Sequence, residues 1–226
     1  MKRAILFDTE TTGLDPARGD RVIEIAALEL VGDLPTGRHF HVLIHPDRDI
    51  PEEASRVHGF TLADLEGKPR FHEIADDFLA FIGQDDLIAH NARFDFGFLN
   101  AELKRAERPA LSLDRMVDTL DIARDRYPGL PNSLDALCRR FSIDLSARTT
   151  HNALLDCRLL AEVYLELMGG RQRGLGLTVQ DGGGAQVSYA YDLAGARTPR
   201  LIVPTEQELA AHGRFLDKIK EPIWSA

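Results

Sequence analysis

The alternation of apolar and polar positions divides the first 170 residues into short strands and amphipathic helices. Ala4 to Phe7 is an apolar run ending on Asp8-Thr9-Glu10-Thr11-Thr12-Gly13, which reads as a buried strand closed by a turn. A polar loop with Pro16 and Gly19 follows. Val22 to Leu30, with Glu24 the only charge in its first half, predicts a second strand, and His39 to Ile44 a third. The Gly32 to Gly37 turn between them predicts an antiparallel hairpin. Pro51-Glu52-Glu53 starts a short helix, and Thr61 with Asp64 starts a further helical turn. Phe71, Ile74, Ala75, Phe78, Leu79 and Ile82 recur at helical spacing. Leu87 to Ala89 is a short buried strand that turns through His90-Asn91 into a helix over about residues 92–106. Helices are also predicted over 118–127, stopping at Pro128, and over 134–141, capped by Asn132-Ser133. The last long helix ends at Gly169-Gly170, a C-terminal stop. A hairpin followed by strands alternating with helices means a mixed sheet covered by helices.

Beyond Gly170 the pattern changes. Residues 171–200 are rich in Gly, including Gly182-Gly183-Gly184, and read as a flexible linker. Residues 201–226 regain some order, with Thr205-Glu206-Gln207-Glu208 as a helix start. The expected organisation is therefore a domain over 1–170, a linker and a terminal segment.

Composition alters this picture in three ways. A net charge of −9 argues against gripping nucleic acid by neutralising many phosphates. It leaves room for an enzyme that holds a short single-stranded end through metal ions, which supply the missing positive charge. Only Cys138 and Cys157 are present, unsuited to a disulfide framework and expected as small apolar filler in a reducing cytoplasm. The start, Met1-Lys2-Arg3, enters a strand-like segment at once, and no apolar run approaches the roughly eighteen residues of a membrane span, so neither secretion nor a membrane is expected.

The candidate chemistry begins at Asp8 and Glu10. Side chains at i and i+2 of a strand share a face, and two carboxylates held side by side call for a cation or a shared proton. Taken alone, the pair reads equally as two solvated carboxylates at a strand end. Three distant sites add to it: His90-Asn91-Ala92-Arg93-Phe94-Asp95 at a strand-to-helix turn, His151, and Asp156. Several carboxylates with few His and no Cys suit Mg²⁺ or Mn²⁺ rather than zinc, in sites that serve phosphoryl transfer. His151 is then free to act as a general base. Five residues is a poor helical repeat, so Asp156 is expected inside a helix and His151 at its frayed start.

The ordered set Asp8-x-Glu10-Thr-Thr-Gly, His90-Asn-x-x-Phe94-Asp95 and His151-x₄-Asp156 resembles the DEDDh family of 3′–5′ exonucleases. Within that family it is most similar to the proofreading subunits of bacterial DNA polymerase III. Val57-His58-Gly59, Asn132 to Cys138 and Leu154 to Tyr164 extend the likeness across residues 3–170. The resemblance implies an α/β, ribonuclease-H-like fold with a mixed five-stranded sheet flanked by helices. It implies two divalent cations, Mg²⁺ or Mn²⁺, held by Asp8, Glu10 and Asp156, with Asp95 completing the acidic set and His151 deprotonating the attacking water. Thr11 and Leu14 resemble positions lining the terminal nucleotide; Glu53, His58 and Asn91 resemble positions near the primer end. Simpler readings stand beside these. Leu14 and Phe94 also fit ordinary packing, His58 and Asn91 turn-stabilising hydrogen bonds, and Glu53 the dipole at a helix start.

The resemblance extends to partners: a single-stranded 3′ DNA end, the polymerase III catalytic subunit and the sliding clamp. Gln172, Leu175 and Leu177 lie in a stretch similar to clamp-docking peptides, although its two Gly residues fit a plain linker as well. Trp224, the single Trp, suits an interface anchor for the polymerase or a contact folded back on its own domain. The implied activity is proofreading removal of 3′-terminal nucleotides. The alternatives are a free-standing exonuclease on RNA or DNA ends and, of another class, a non-catalytic adaptor between polymerase and clamp.

Overall fold

A computed structural model of the chain describes residues 2–146, 148, 150–170 and 204–218. The chain divides into two units, Met1–Gly176 and Leu177–Ala226. The first is built on a five-stranded sheet in the order β3-β2-β1-β4-β5. The strands are β1 (Arg3–Thr11), β2 (Val22–Val31), β3 (Leu34–Leu43), β4 (Asp86–Ala89) and β5 (Met116–Asp118). β1 to β3 pair antiparallel, whereas β4 lies parallel to β1 and β5 parallel to β4. The sheet is mixed, as its pattern implied.

Alternation along β1 sorts the core into two layers. Ile5 and Phe7 point to one face and pack with Phe71, Phe78, Phe96 and Leu99 of α2 (Phe71–Ile82) and α3 (Ala92–Arg105). Leu6 points to the other and packs with Leu137, Cys138, Cys157 and Leu160 of α5 (Leu134–Phe141) and α6 (Ala153–Leu167). Both Cys are buried and free, the filler role read for them. Two further helices of this unit are α1 (Glu52–His58) and α4 (Thr119–Arg126), and Asp64 closes a capping box with Thr61.

Two expectations need correction. The hairpin turn is not Gly32 to Gly37 but Gly32-Asp33, with φ of 60° and 68°, and β3 begins at Leu34. A two-residue turn with both φ positive matches the twist of its strands. Pro35 and Gly37, which read as turn residues, are accommodated because β3 is an edge strand. The fifth strand, which periodicity did not locate, is Met116–Asp118, three residues directly before α4.

In the second unit, α7 (Glu206–Leu216) starts at Thr205 with a capping box to Glu208, at the predicted helix start. Its Leu209 and Phe215 are exposed. The readings placed on Gln172, Leu175, Leu177 and Trp224 lie outside the described residues. Among the described residues no helix is long and apolar enough to cross a membrane.

Candidate active site

Asp8 and Glu10 leave β1 on the side of Leu6, two and four residues on, and face one cleft of about 1580 Å³. The ladder with β2 is regular up to Glu10 and shifts register between Glu10 and Thr11, where the chain turns into the Thr11 to Gly13 loop. A β-carbon at Gly13 would lie 2.2 Å from Asp20 Oδ2. Asp20 cannot easily yield, since Arg48 Nη1 donates to its Oδ1 at 2.8 Å and the Asp15 N–H to its Oδ2 at 3.0 Å. Glycine is therefore needed where the loop turns beside the carboxylates.

Asp95 reaches the same cleft from the other core layer. It sits in the first turn of α3, and Thr9 Oγ1 donates to its Oδ1 at 2.7 Å. The turn that brings α3 there is made by Asn91, in the left-handed region at φ 66°, whose N–H donates to Asp118 Oδ1 at 3.0 Å. Asn tolerates that conformation better than most residues.

α6 supplies the rest. Asn152 is its N-cap, accepting from the Leu155 N–H at 3.1 Å, and buried Asp156 lies in its first turn. His151 sits just before the cap, as the five-residue spacing required, with its N–H donating to Val57 O at 3.0 Å. Fully buried Glu24, opposite Glu10 in the β1–β2 ladder, holds this helix start to the sheet. It accepts from Asn152 Nδ2 at 3.0 Å and the Ala153 N–H at 3.1 Å, and contacts His41 Nε2 at 2.7 Å.

Crowding these acids in a desolvated cleft raises their pKa values. Burial, followed by Asp156, Glu24 and Asp95, pushes Glu10 up to about 8. Burial likewise pushes Asp95 up to about 7, against the stabilising Thr9 hydrogen bond. Asp8 is held well above the usual carboxylate range by desolvation and by Asp95, Glu10, Asp156 and Glu24. The site is short of positive charge. Among the described residues, Glu10, His151 and Asp156 each bring a ligand atom within 4.8 Å of the others, an arrangement able to hold a metal ion. Asp8 and Asp95 lie in the cleft but outside this trio.

One cation is already present, and the sequence reading passed over it. Arg148 donates through Nε and Nη2 to both oxygens of Asp156, each at 2.6 Å, and through Nη1 to Asp135 Oδ1 at 2.5 Å. Its Nη2 lies 3.1 Å from His151 Nδ1, and that nitrogen lies 3.5 Å from Asp156 Oδ2. Arg148 was legible only as one charge in a polar loop. Asp135 and Glu24 were missed for the same reason, since each acts through a meeting in space that spacing does not encode.

The remaining predicted contacts, Thr11, Leu14, Glu53, His58 and Asn91, all line the cleft. Leu14 is 84% exposed, so its packing alternative does not hold. Thr11 donates to Gly13 O at 2.6 Å. His58 is buried, its Nδ1 accepts from the Phe60 N–H at 3.0 Å, and its Nε2 has no hydrogen-bond partner among the described residues. Glu53 is exposed in the first turn of α1, where the dipole reading also fits. Phe94 packs on Phe98 at 4.9 Å between ring centres, in keeping with its packing reading, and also lines the cleft.

Known proteins carry the same architecture. The Exonuclease family matches residues 5–164. DNA polymerase III subunit epsilon of Rickettsia conorii is 48% identical over 96% of this chain and 96% of its own length. The Escherichia coli protein of that name is 41% identical over 100% of this chain and 98% of its own. Exonuclease X, solved in complex with 5′-overhanging duplex DNA, superposes with a TM-score of 0.57 and 28% identity over 74% of this chain and 91% of its own. Escherichia coli exonuclease I in its zinc-bound complex with single-stranded DNA gives a TM-score of 0.65 over 76% of this chain and 41% of its own; at 20% identity it speaks for the fold alone. A carboxylate-lined cleft on a mixed sheet, and likeness along nearly the whole chain, lead to one assignment: the chain belongs to the Exonuclease family and, within it, to the epsilon subunits of DNA polymerase III.

Proposed function

We propose that this nuclease is a metal-dependent 3′–5′ exodeoxyribonuclease that proofreads for a bacterial polymerase III in the cytoplasm. It removes mismatched 3′-terminal nucleotides as 5′-monophosphates. The observation that carries this reading is the convergence of Asp8, Glu10, Asp95, Asp156 and His151 on one cleft. Asp8, Glu10 and Asp156 would hold two Mg²⁺ or Mn²⁺ ions, with Asp95 completing the set. All-oxygen donors suit such hard ions, and the depressed acidity of Glu10 and Asp95 is relieved by added positive charge. The ions, when bound, would polarise the scissile phosphate and activate water.

The protein's own groups do the rest. His151 is half exposed at the cleft and accepts the proton of the attacking water; as oxygen bonds to phosphorus, the P–O3′ bond breaks and the shortened strand keeps a 3′-hydroxyl. His58 is kept neutral by burial, which lowers its pKa, and its buried Nε2 has no hydrogen-bond partner among the described residues. Thr11, Leu14, Glu53 and Asn91 line the path of the terminal nucleotides. Exposed Leu14 offers an apolar face to a base.

An adaptor without catalysis would have no use for five such groups in one cleft, and likeness beyond the exonuclease domain favours a polymerase subunit over a free-standing enzyme. The terminal segment with Trp224 is read as the polymerase anchor, and Gln172, Leu175 and Leu177 as a clamp contact. The test is co-purification with the polymerase III catalytic subunit, followed by release of mononucleotides from a mismatched primer in Mg²⁺. Asp8→Ala and Asp156→Ala should abolish release and leave association intact. Deleting residues 200–226 should do the reverse. Full nuclease activity in either Ala variant would sink the mechanism, and association surviving the deletion would refute the anchor.

A further inference from the structure

Arg148 touches the side chains of both the predicted metal ligand Asp156 and the predicted base His151. Its side chain is only 10% exposed, and its fork satisfies both oxygens of Asp156 at once. Such bidentate pairs are among the stronger hydrogen-bonded contacts in proteins. While the pair is made, Asp156 has no oxygen free of Arg148. The third arm of the fork reaches Asp135 on α5, whose side chain is 39% exposed, so the guanidinium has a second carboxylate outside the metal trio.

We propose that Arg148 is a positioning residue that stands in for a cation at Asp156 and His151, and that an incoming divalent ion displaces its guanidinium from Asp156 while Asp135 retains it. The inference rests on the metal-binding reading of the site. In the metal-free protein, Arg148 pairs with both oxygens of buried Asp156 and holds the chain segment that carries His151 against the start of α6. A divalent ion must break this pair before it can use Asp156. Arg148 therefore weakens metal binding while preserving the geometry the metal needs. The site stays assembled between loadings.

The test compares the full-length wild type with Arg148→Gln, which stays polar but is shorter and loses the charge. Mn²⁺ affinity is measured by electron paramagnetic resonance of the free ion, and melting is followed in EDTA and in saturating Mn²⁺. The variant should bind Mn²⁺ about tenfold more tightly, the ratio expected when about 1.4 kcal/mol of competing interaction is removed. It should melt below wild type in EDTA, and the gap should close in Mn²⁺. Equal or weaker Mn²⁺ binding, with the same melting gap in both conditions, would mean that Arg148 is only a brace and would overturn the proposal. A second measurement uses wild type alone, in case the variant does not fold. The Arg148 Nε–H resonance, assigned by its absence in Arg148→Lys, should exchange slowly in EDTA and lose that protection in Mg²⁺. Protection retained in saturating Mg²⁺ overturns the proposal. Wild type that binds no Mn²⁺ at all overturns both this inference and the metal-binding reading; normal Mn²⁺ binding unaffected by Arg148→Gln overturns this inference alone.

Discussion

Glu10 shows how a single residue links the fold to the chemistry. Its folded pKa, about 8, lies above its ordinary 4.5. Between those values the folded chain holds a proton that the unfolded chain has lost. Metal-free stability therefore falls as pH rises through this window, at up to about 1.4 kcal/mol per pH unit for each such proton. Asp95, raised to about 7, adds to the fall. His58 and His90 are lowered by burial and act with the opposite sign: stability rises as pH climbs toward 6.5, the value at which the unfolded imidazoles lose their protons. Comparing wild type with Glu10→Gln isolates the carboxylate. In EDTA the melting temperature of the variant should fall less steeply from pH 5 to pH 8, and parallel curves would show that Glu10 does not carry the proton. His151 has a sharper test. Its replacement by Ala should cost about 10²–10⁴-fold in turnover, the usual worth of a general base, while leaving Mn²⁺ binding nearly unchanged. Lost Mn²⁺ binding would make it a ligand instead. The residues proposed for this chemistry were legible because the motif fixes their spacing. Arg148 and Glu24 were not. Glu24 meets Asn152 across 128 positions of chain, and nothing local at either end announces the meeting.

At the scale of elements, the site depends on how α6 is attached to the sheet. Glu24 binds the start of α6 through Asn152 Nδ2 and the Ala153 N–H and contacts His41 Nε2, and it is wholly enclosed. Removing it leaves the buried Ala153 N–H and the half-buried Asn152 amide without this partner. Glu24→Ala should therefore destabilise the protein by about 3 kcal/mol, in the range for breaking a buried charged contact. Because α6 carries Asp156 and follows directly on His151, turnover should fall as well, although Glu24 touches no substrate. Urea unfolding and mononucleotide release, measured on the same variant, check the two effects together. A variant as stable as wild type but inactive would place Glu24 in the chemistry instead. The helices that position the site were readable from their periodicity: α2 and α5 match their predicted spans residue for residue. The strands at the sheet edges were not. β5 has three residues, too few to show a period of two, and β3 contains Pro35 and Gly37, which local chemistry assigns to a turn until edge position excuses them.

At the scale of the whole molecule, the puzzle is an acidic protein in an exonuclease family. The net charge is −9, and three of the arginines lining the cleft already face acids: Arg48 meets Asp20, Arg124 meets Asp121, and Arg148 meets Asp135 and Asp156. Little arginine charge is left to neutralise a strand. On the proposed function, attraction to DNA comes chiefly from divalent ions at the carboxylates, and two dependencies separate. A single strand neutralised at about two phosphates loses roughly sevenfold in affinity when NaCl rises from 50 to 200 mM, whereas 6–10 contacts on duplex DNA lose about 10³–10⁵. Removing divalent ions should cost far more than that sevenfold, since it takes away the charge that faces the scissile phosphate. The measurement is the affinity of the full chain for an oligonucleotide with a non-cleavable 3′-phosphorothioate end, in Ca²⁺ and in EDTA, at both salt concentrations. A steep salt slope that persists in EDTA would mean that side chains, not ions, hold the strand. The acidic surface would then need another explanation, and the carboxylates would lose their claim to be the place where the 3′ end is bound.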